Sequence, residues 1–162
     1  MKKTTITLLV SALLLINGLK AQTIQEGMNH LYANRFKSAI SVFEKLLAIN
    51  PNNMEAIYWL GQTYLEMDEI MSARIALAKK LYEKALMSNG NAPLVLVGMG
   101  HVELLENKTS EARQRFETAL TMTHTKKGDD PVILTAIGRA NADAKAGDFN
   151  YAIPLLESAV AR

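Results

Sequence analysis

A glycine recurs along this chain at Gly27, Gly61, Gly100 and Gly138, at intervals of 34, 39 and 38 residues. An alanine follows each one, at Ala39, Ala73, Ala112 and Ala152, at intervals of 34, 39 and 40. Pairs of small residues repeated at a period near 34 are the pattern of stacked helical hairpins. A small side chain lets two antiparallel helices approach closely, and a ring or a leucine one turn later fills the wedge between hairpins. Each hairpin can bury its apolar face only against its neighbour, so the pattern constrains the fold to an array.

Apolar spacing predicts eight helices in four pairs, at about 22–33 and 36–49, 54–67 and 69–88, 92–106 and 109–122, and 131–146 and 149–161. Ala39, Ile40, Phe43, Leu46 and Leu47 share one helical face, as do Ala112, Phe116, Ala119 and Leu120, and Ala152, Ile153, Leu156, Ala159 and Val160. Pro51-Asn52-Asn53 breaks the chain, and Asn53 is a suitable N-cap. Thr109 or Ser110 is expected to cap the sixth helix. Asp130-Pro131 reads as an acidic cap with proline in the first turn, and Gly147 separates the last two helices.

Residues 1–21 are of another kind. Lys2 and Lys3 precede an apolar run from Ile6 to Ile16, and the small residue Ala21 follows. This is the layout of a secretory signal peptide cut after Ala21. The run is well short of the ~20 residues a spanning helix needs, so no stable membrane span is expected once it is removed. Its three lysines account for the chain's net charge of +2; residues 22–162 carry 15 basic against 16 acidic side chains, a net −1. That balance offers no general field for nucleic acid. The absence of cysteine excludes disulfides, thiolate metal sites, a cysteine nucleophile and a lipid-modified N-terminal cysteine. We expect an exported protein, in the periplasm or cell envelope of a Gram-negative bacterium.

The residues resemble the tetratricopeptide repeat family. The units read Gly27…Phe36…Ala39…Phe43…Pro51; Leu60-Gly61…Tyr64…Ala73; Gly100…Ala112…Phe116…Ala119; and Gly138…Gly147-Asp148-Phe149…Ala152. Units at about 22–53, 54–91, 92–130 and 131–162 cover the chain after the signal. The resemblance implies an all-α, right-handed α-solenoid of about four hairpins that acts as a non-catalytic scaffold for a protein or peptide partner. It also implies that the first helix of each pair lines a concave groove. Carried over by register, the candidate partner-groove residues are Tyr32, Tyr58, Gln62, Glu66, His101, Leu105, Arg139 and Asp143. This mixed surface suits an extended peptide or a helix. The lysine and asparagine clamp of chaperone-binding relatives is not carried over, because Ile24, Met28, Tyr58 and Gln62 stand there.

Three departures are visible. About five extra residues separate Ala73 from the matching Tyr82-Glu83-Lys84-Ala85-Leu86, which predicts a longer second helix in that pair. Pro154, beyond the first turn of the last helix, is expected to kink or fray it. A polar capping helix is expected after Arg162. The alternative to a peptide groove is therefore a structural, self-associating N-terminal segment of a larger envelope protein.

No chemistry is expected. His30, His101 and His124 lie in three different units without helical pairing, so no metal site is read from them. Gly98-Met99-Gly100 lies inside a helix and reads as packing rather than a dinucleotide loop. Asp129-Asp130 reads as cap and loop charge. No cofactor and no catalytic residue are assigned.

Overall fold

The computed structural model describes residues 23–67 and 70–161. The signal-peptide reading of residues 1–21 lies outside the described residues. The chain is all-α: α1 (23–32), α2 (Phe36–Ile49), α3 (Met54–Glu66), α4 (Met71–Ser88), α5 (Pro93–Leu105), α6 (Thr109–Thr123), α7 (Pro131–Asp143) and α8 (Phe149–Val160). Asn53 accepts the Ala56 amide at 3.1 Å and Asp130 accepts the Val132 amide at 2.8 Å, so both expected caps form. Neither Thr109 nor Ser110 is the cap of α6. That position falls to Lys108, whose side chain makes no cap bond. The turn explains why: Asn107 is left-handed at φ 62°, and the Lys108 amide returns to the Glu103 carbonyl at 2.8 Å. Asn34, at φ 55°, does the same between α1 and α2, where the Arg35 amide reaches the His30 carbonyl at 2.8 Å. Asparagine tolerates this backbone better than most residues, which closes both hairpins by one device. Helix α8 runs through Pro154 to Val160 without a break.

Within each hairpin one large side chain of the second helix lies on the glycine of the first. A Cβ on Gly27 or on Gly100 would sit 2.5 Å from the ring of Phe43 or of Phe116. On Gly61 it would enter the Tyr82 ring, and on Gly138 it would strike Leu156. Gly98 also faces Tyr82, at 2.6 Å, so the two glycines of Gly98-Met99-Gly100 receive rings from α4 and α6 on either side of α5. The motif is packing, as expected. The hairpins then stack: α3 packs on α5 and α5 on α7, while α2, α4 and α6 each lie against the first helix of the following pair.

The alanine of the second hairpin was misplaced by the sequence period. Ala73 is exposed, whereas Ala78 is fully buried one turn before Tyr82, the place that Ala39 holds before Phe43. The buried alanines at this contact position are Ala39, Ala78, Ala112 and Ala152. The extra residues therefore lie ahead of the contact, as an added N-terminal turn of the 18-residue α4. That turn brings Arg74 back over the end of α3, where its Nη1 donates to the carbonyls of Leu65 at 2.7 Å and Met67 at 3.0 Å. A guanidinium there satisfies terminal carbonyls and complements the negative end of the helix.

Between α7 and α8, Asn141 is buried and donates to the Ile137 carbonyl at 2.9 Å while accepting the Asp148 amide at 2.8 Å. Gly147 passes so close to the Asn141 carbonyl that a Cβ would overlap it. Asp148 accepts the Tyr151 amide and holds Arg113 of α6 at 2.7 Å, with the guanidinium 3.4 Å above the Tyr151 ring.

The corrected register is testable by urea unfolding. Ala78→Leu should lose about 1–3 kcal/mol through overpacking in the core it shares with Ile57, Leu65 and Tyr82. Ala73→Leu should stay within about 0.5 kcal/mol of the parent. Equal losses at the two positions would restore the original register.

Candidate functional site

The eight groove candidates do not form one open surface. Tyr58 and Gln62 on α3 and His101 on α5 are buried, at 2%, 1% and 3% exposure. They were expected in the groove because the first helices carry them at the right register. Here those helices stack closely enough to cover them. Tyr58 packs with Leu96, Val97, Ile133 and Ala136 of α5 and α7.

A buried polar chain joins these residues to the ring at the glycine contact. The Tyr82 hydroxyl donates to the Tyr58 carbonyl at 2.9 Å and accepts from Gln62 Nε2 at 3.1 Å. Gln62 Oε1 then lies 3.2 Å from His101 Nδ1. An amide oxygen can only accept, so His101 carries its proton on Nδ1 and presents a lone pair at Nε2. That Nε2 is buried and has no partner. Burial, helped by the nearby Arg139 charge, lowers the imidazole pKa from 6.5 to about 4, so the ring is neutral at physiological pH. Burial also raises the pKa of the Tyr58 and Tyr82 hydroxyls.

Arg139 on α7 draws three further candidates together, Tyr32, Glu66 and Asp143. Its Nη2 meets Glu66 of α3 at 2.9 Å, and its Nε meets Asp143 one turn on at 3.4 Å. Nη1 reaches the Tyr32 hydroxyl of α1 at 3.4 Å. The guanidinium lies 5.6 Å from the ring centres of both Tyr32 and Trp59, within cation–π range. The backbones of α3 and α7 do not approach one another closely, so this one side chain spans the inner face from the fourth hairpin to the first.

The bridge divides that face. On one side, Met28, Tyr32, Trp59, Leu94, Val132 and Arg139 are among the walls of a cavity of about 480 Å³. Tyr32 is 60% exposed there, edge-on to Trp59 at 6.2 Å. On the other side, Glu66, His101, Leu105 and Asp143 join Leu65, Met71, Arg74 and Ile75 around a cavity of about 240 Å³. Burial, with a contribution from Glu66, raises the Asp143 carboxyl pKa. Seven of the eight candidates thus line one cavity or the other, and Gln62 lies behind them. Sequence reasoning missed Trp59, Arg74 and Val132. Trp59 is the chain's one tryptophan, next to a candidate, and was the available signal. Arg74 could not be found while α4 was in the wrong register. Among the described residues no group of three or more His, Asp or Glu side chains could hold a metal ion.

Stacked helical hairpins with a pocketed inner face define a class of binding scaffold. Residues 30–79, from the end of α1 into α4, match the tetratricopeptide repeat family, so the repeat seen in the sequence is supported. Among solved structures the chain is similar to a thermophilic tetratricopeptide repeat protein of Thermus thermophilus. Identity is 17%, the TM-score is 0.41, and the match covers 88% of this chain and 99% of that one. No curated protein matches this chain.

Proton linkage at His101 has a definite sign. A base whose folded pKa is depressed binds fewer protons folded than unfolded between pH 6.5 and 4, so stability falls as pH drops through that window. The full shift corresponds to about 3 kcal/mol. The raised carboxyls of Glu103 and Asp143 act in the opposite sense at acid pH. The readout is therefore the difference between parent and His101→Gln, whose amide can still donate to Gln62. In urea melts from pH 7 to pH 4, the variant should gain on the parent as pH falls. A constant difference would mean that His101 binds its proton equally readily in the folded and unfolded states.

Proposed function

We propose that this chain is a non-catalytic protein-interaction scaffold of the Gram-negative cell envelope, holding a peptide or helix along the face of α1, α3, α5 and α7. Tetratricopeptide repeats generally mediate protein–protein interaction, and the family is typically non-catalytic. The observation that carries the reading is the aromatic half of the inner face. There Tyr32 stays largely exposed beside Trp59, Val132 and Arg139, at the mouth of a cavity of suitable size. Tyrosine, tryptophan and arginine in a partly enclosed pocket are the residue types that dominate protein interfaces. The envelope location rests on the signal-like segment at residues 1–21. Among the described residues no helix is long and apolar enough to cross a membrane.

A second reading is favoured by α8. Leu47, Leu86 and Leu120 hold one register position on α2, α4 and α6, and each is partly buried in the stacked core. Val160 holds the same position on α8 and is 86% exposed, with Phe149 and Ile153 also exposed. This face suits a further hairpin or a second copy, as a self-associating segment would require. Sedimentation at rising concentration should then show a mass increase that Ile153→Lys removes.

Affinity capture from envelope extract checks the groove. A discrete partner should bind the parent and lose roughly tenfold or more in affinity with Tyr32→Ala plus Arg139→Met. Both proteins must melt cooperatively for the comparison. Undiminished binding by the double variant would place the partner elsewhere.

A further inference from the structure

We propose that the smaller cavity, enclosed by Glu66, His101, Asp143 and the added turn of α4, is a pocket for a lysine side chain of the bound polypeptide. The proposal rests on the groove reading and names the chemistry of one of its halves.

Three acceptor-bearing side chains line this cavity, Glu66, Asp143 and His101. Arg139 engages Oε1 of Glu66 and Oδ2 of Asp143, leaving each carboxylate a second oxygen. The third is His101 Nε2. Its neighbour Nδ1 is committed to Gln62, so the lone pair at Nε2 is fixed, and it is buried without a donor. A lysine ammonium carries three N–H donors and no acceptor, which matches this set in number and kind. An imidazole held neutral adds no repulsion to an incoming cation.

The placement of the two arginines points the same way. Two carboxylates share one guanidinium, Arg139. The other nearby cation, Arg74, is turned onto the Leu65 and Met67 carbonyls at the end of α3, where it answers the helix terminus. With Arg74 counted the four charges balance, and the second oxygen of each carboxylate remains for a further donor. An ammonium can meet both oxygens in compact form, whereas an anionic side chain would face two carboxylates.

The walls fit a lysine stem. Leu65, Met71, Ile75 and Leu105 are apolar and line the same cavity. Four methylenes can lie against such a surface while the charged end reaches polar groups. Met71 and Arg74 belong to the added N-terminal turn of α4, and Ile75 is the residue that follows it. The added turn therefore builds one wall of this pocket.

The probe is Nα-acetyl-lysine methylamide, with Nα-acetyl-norleucine methylamide as the uncharged match. Both are titrated into the full chain while the His101 imidazole nitrogens are followed by long-range ¹H–¹⁵N NMR. The expected result is a saturable shift of Nε2, with little change at Nδ1, and binding roughly tenfold tighter for lysine than for norleucine. Glu66→Gln, which can still accept from Arg139, should remove most of that preference. Equal affinity for the two probes, or an Nε2 resonance unmoved at saturation, overturns the proposal. The outcome is separable from the groove reading. A captured partner that shifts Tyr32 and Trp59 but not His101 defeats the lysine pocket alone. A partner that shifts neither half defeats both.

Discussion

Every hairpin in this protein depends on a ring, or in one case a leucine, seated directly on a glycine of the paired helix. A helix surface normally keeps its neighbour 8–10 Å away. Removing the Cβ at Gly27, Gly61, Gly100 and Gly138 lets Phe43, Tyr82, Phe116 and Leu156 fill the gap, and any Cβ restored there collides with them. Tyr82 does more, because Gly98 of the next hairpin clasps its other face. It sets the spacing within the second hairpin and between the second and third. Being a tyrosine, it also brings a hydroxyl into the core, which must find partners or cost about 1–3 kcal/mol. Tyr58 and Gln62 supply them, and Gln62 in turn orients His101. The tautomer of a histidine on α5 thus follows from packing between α3 and α4.

The added turn of α4 shows how an insertion can be tolerated in an array. The contact residues Ala78, Tyr82 and Ala85 keep their spacing, so the stacking interface does not register the change. The surplus is expelled toward the end of α3, where Arg74 fastens it to the carbonyls of Leu65 and Met67. Its cost is small because the turn lies outside the core, and its effect is local: it walls a cavity on the inner face.

Much of the fold was legible because its causes are local in sequence. Helix ends at Asn53 and Asp130 follow from capping chemistry within a few residues, and the glycines mark close approach wherever they fall. The error at Ala73 arose from treating the period as uniform. An alanine stood at the expected interval, but periodicity cannot tell a buried alanine from an exposed one. The phase relative to the following ring could have done so: in the other hairpins the ring or leucine comes four residues after the alanine, as Tyr82 does after Ala78. The candidate site was legible only in outline. Register identifies the first helices as the inner face, but exposure depends on how tightly successive hairpins wind. That is a sum of small angles carried by contacts far apart in sequence. Tyr58, Gln62 and His101 were covered for this reason. Arg139, correctly placed on the inner face, turned out to reach three hairpins away.

That reach decides what the inner face can offer. A continuous groove would accept a partner in any register, since successive repeats present similar chemistry. Arg139 interrupts it with a fixed charge already bound to Glu66 and Asp143 and flanked by Tyr32 and Trp59. The two cavities it separates are unlike. One is aromatic and open; the other is small, rich in acceptors and set beside the insertion. A polypeptide that engages both must pass over the guanidinium and place an apolar side chain on one side and a hydrogen-bond donor on the other. The order of the two fixes its direction along the array. In the proposed function, specificity then arises from one long side chain crossing a repeat fold, with the repeats themselves supplying the rigid frame that holds it in place.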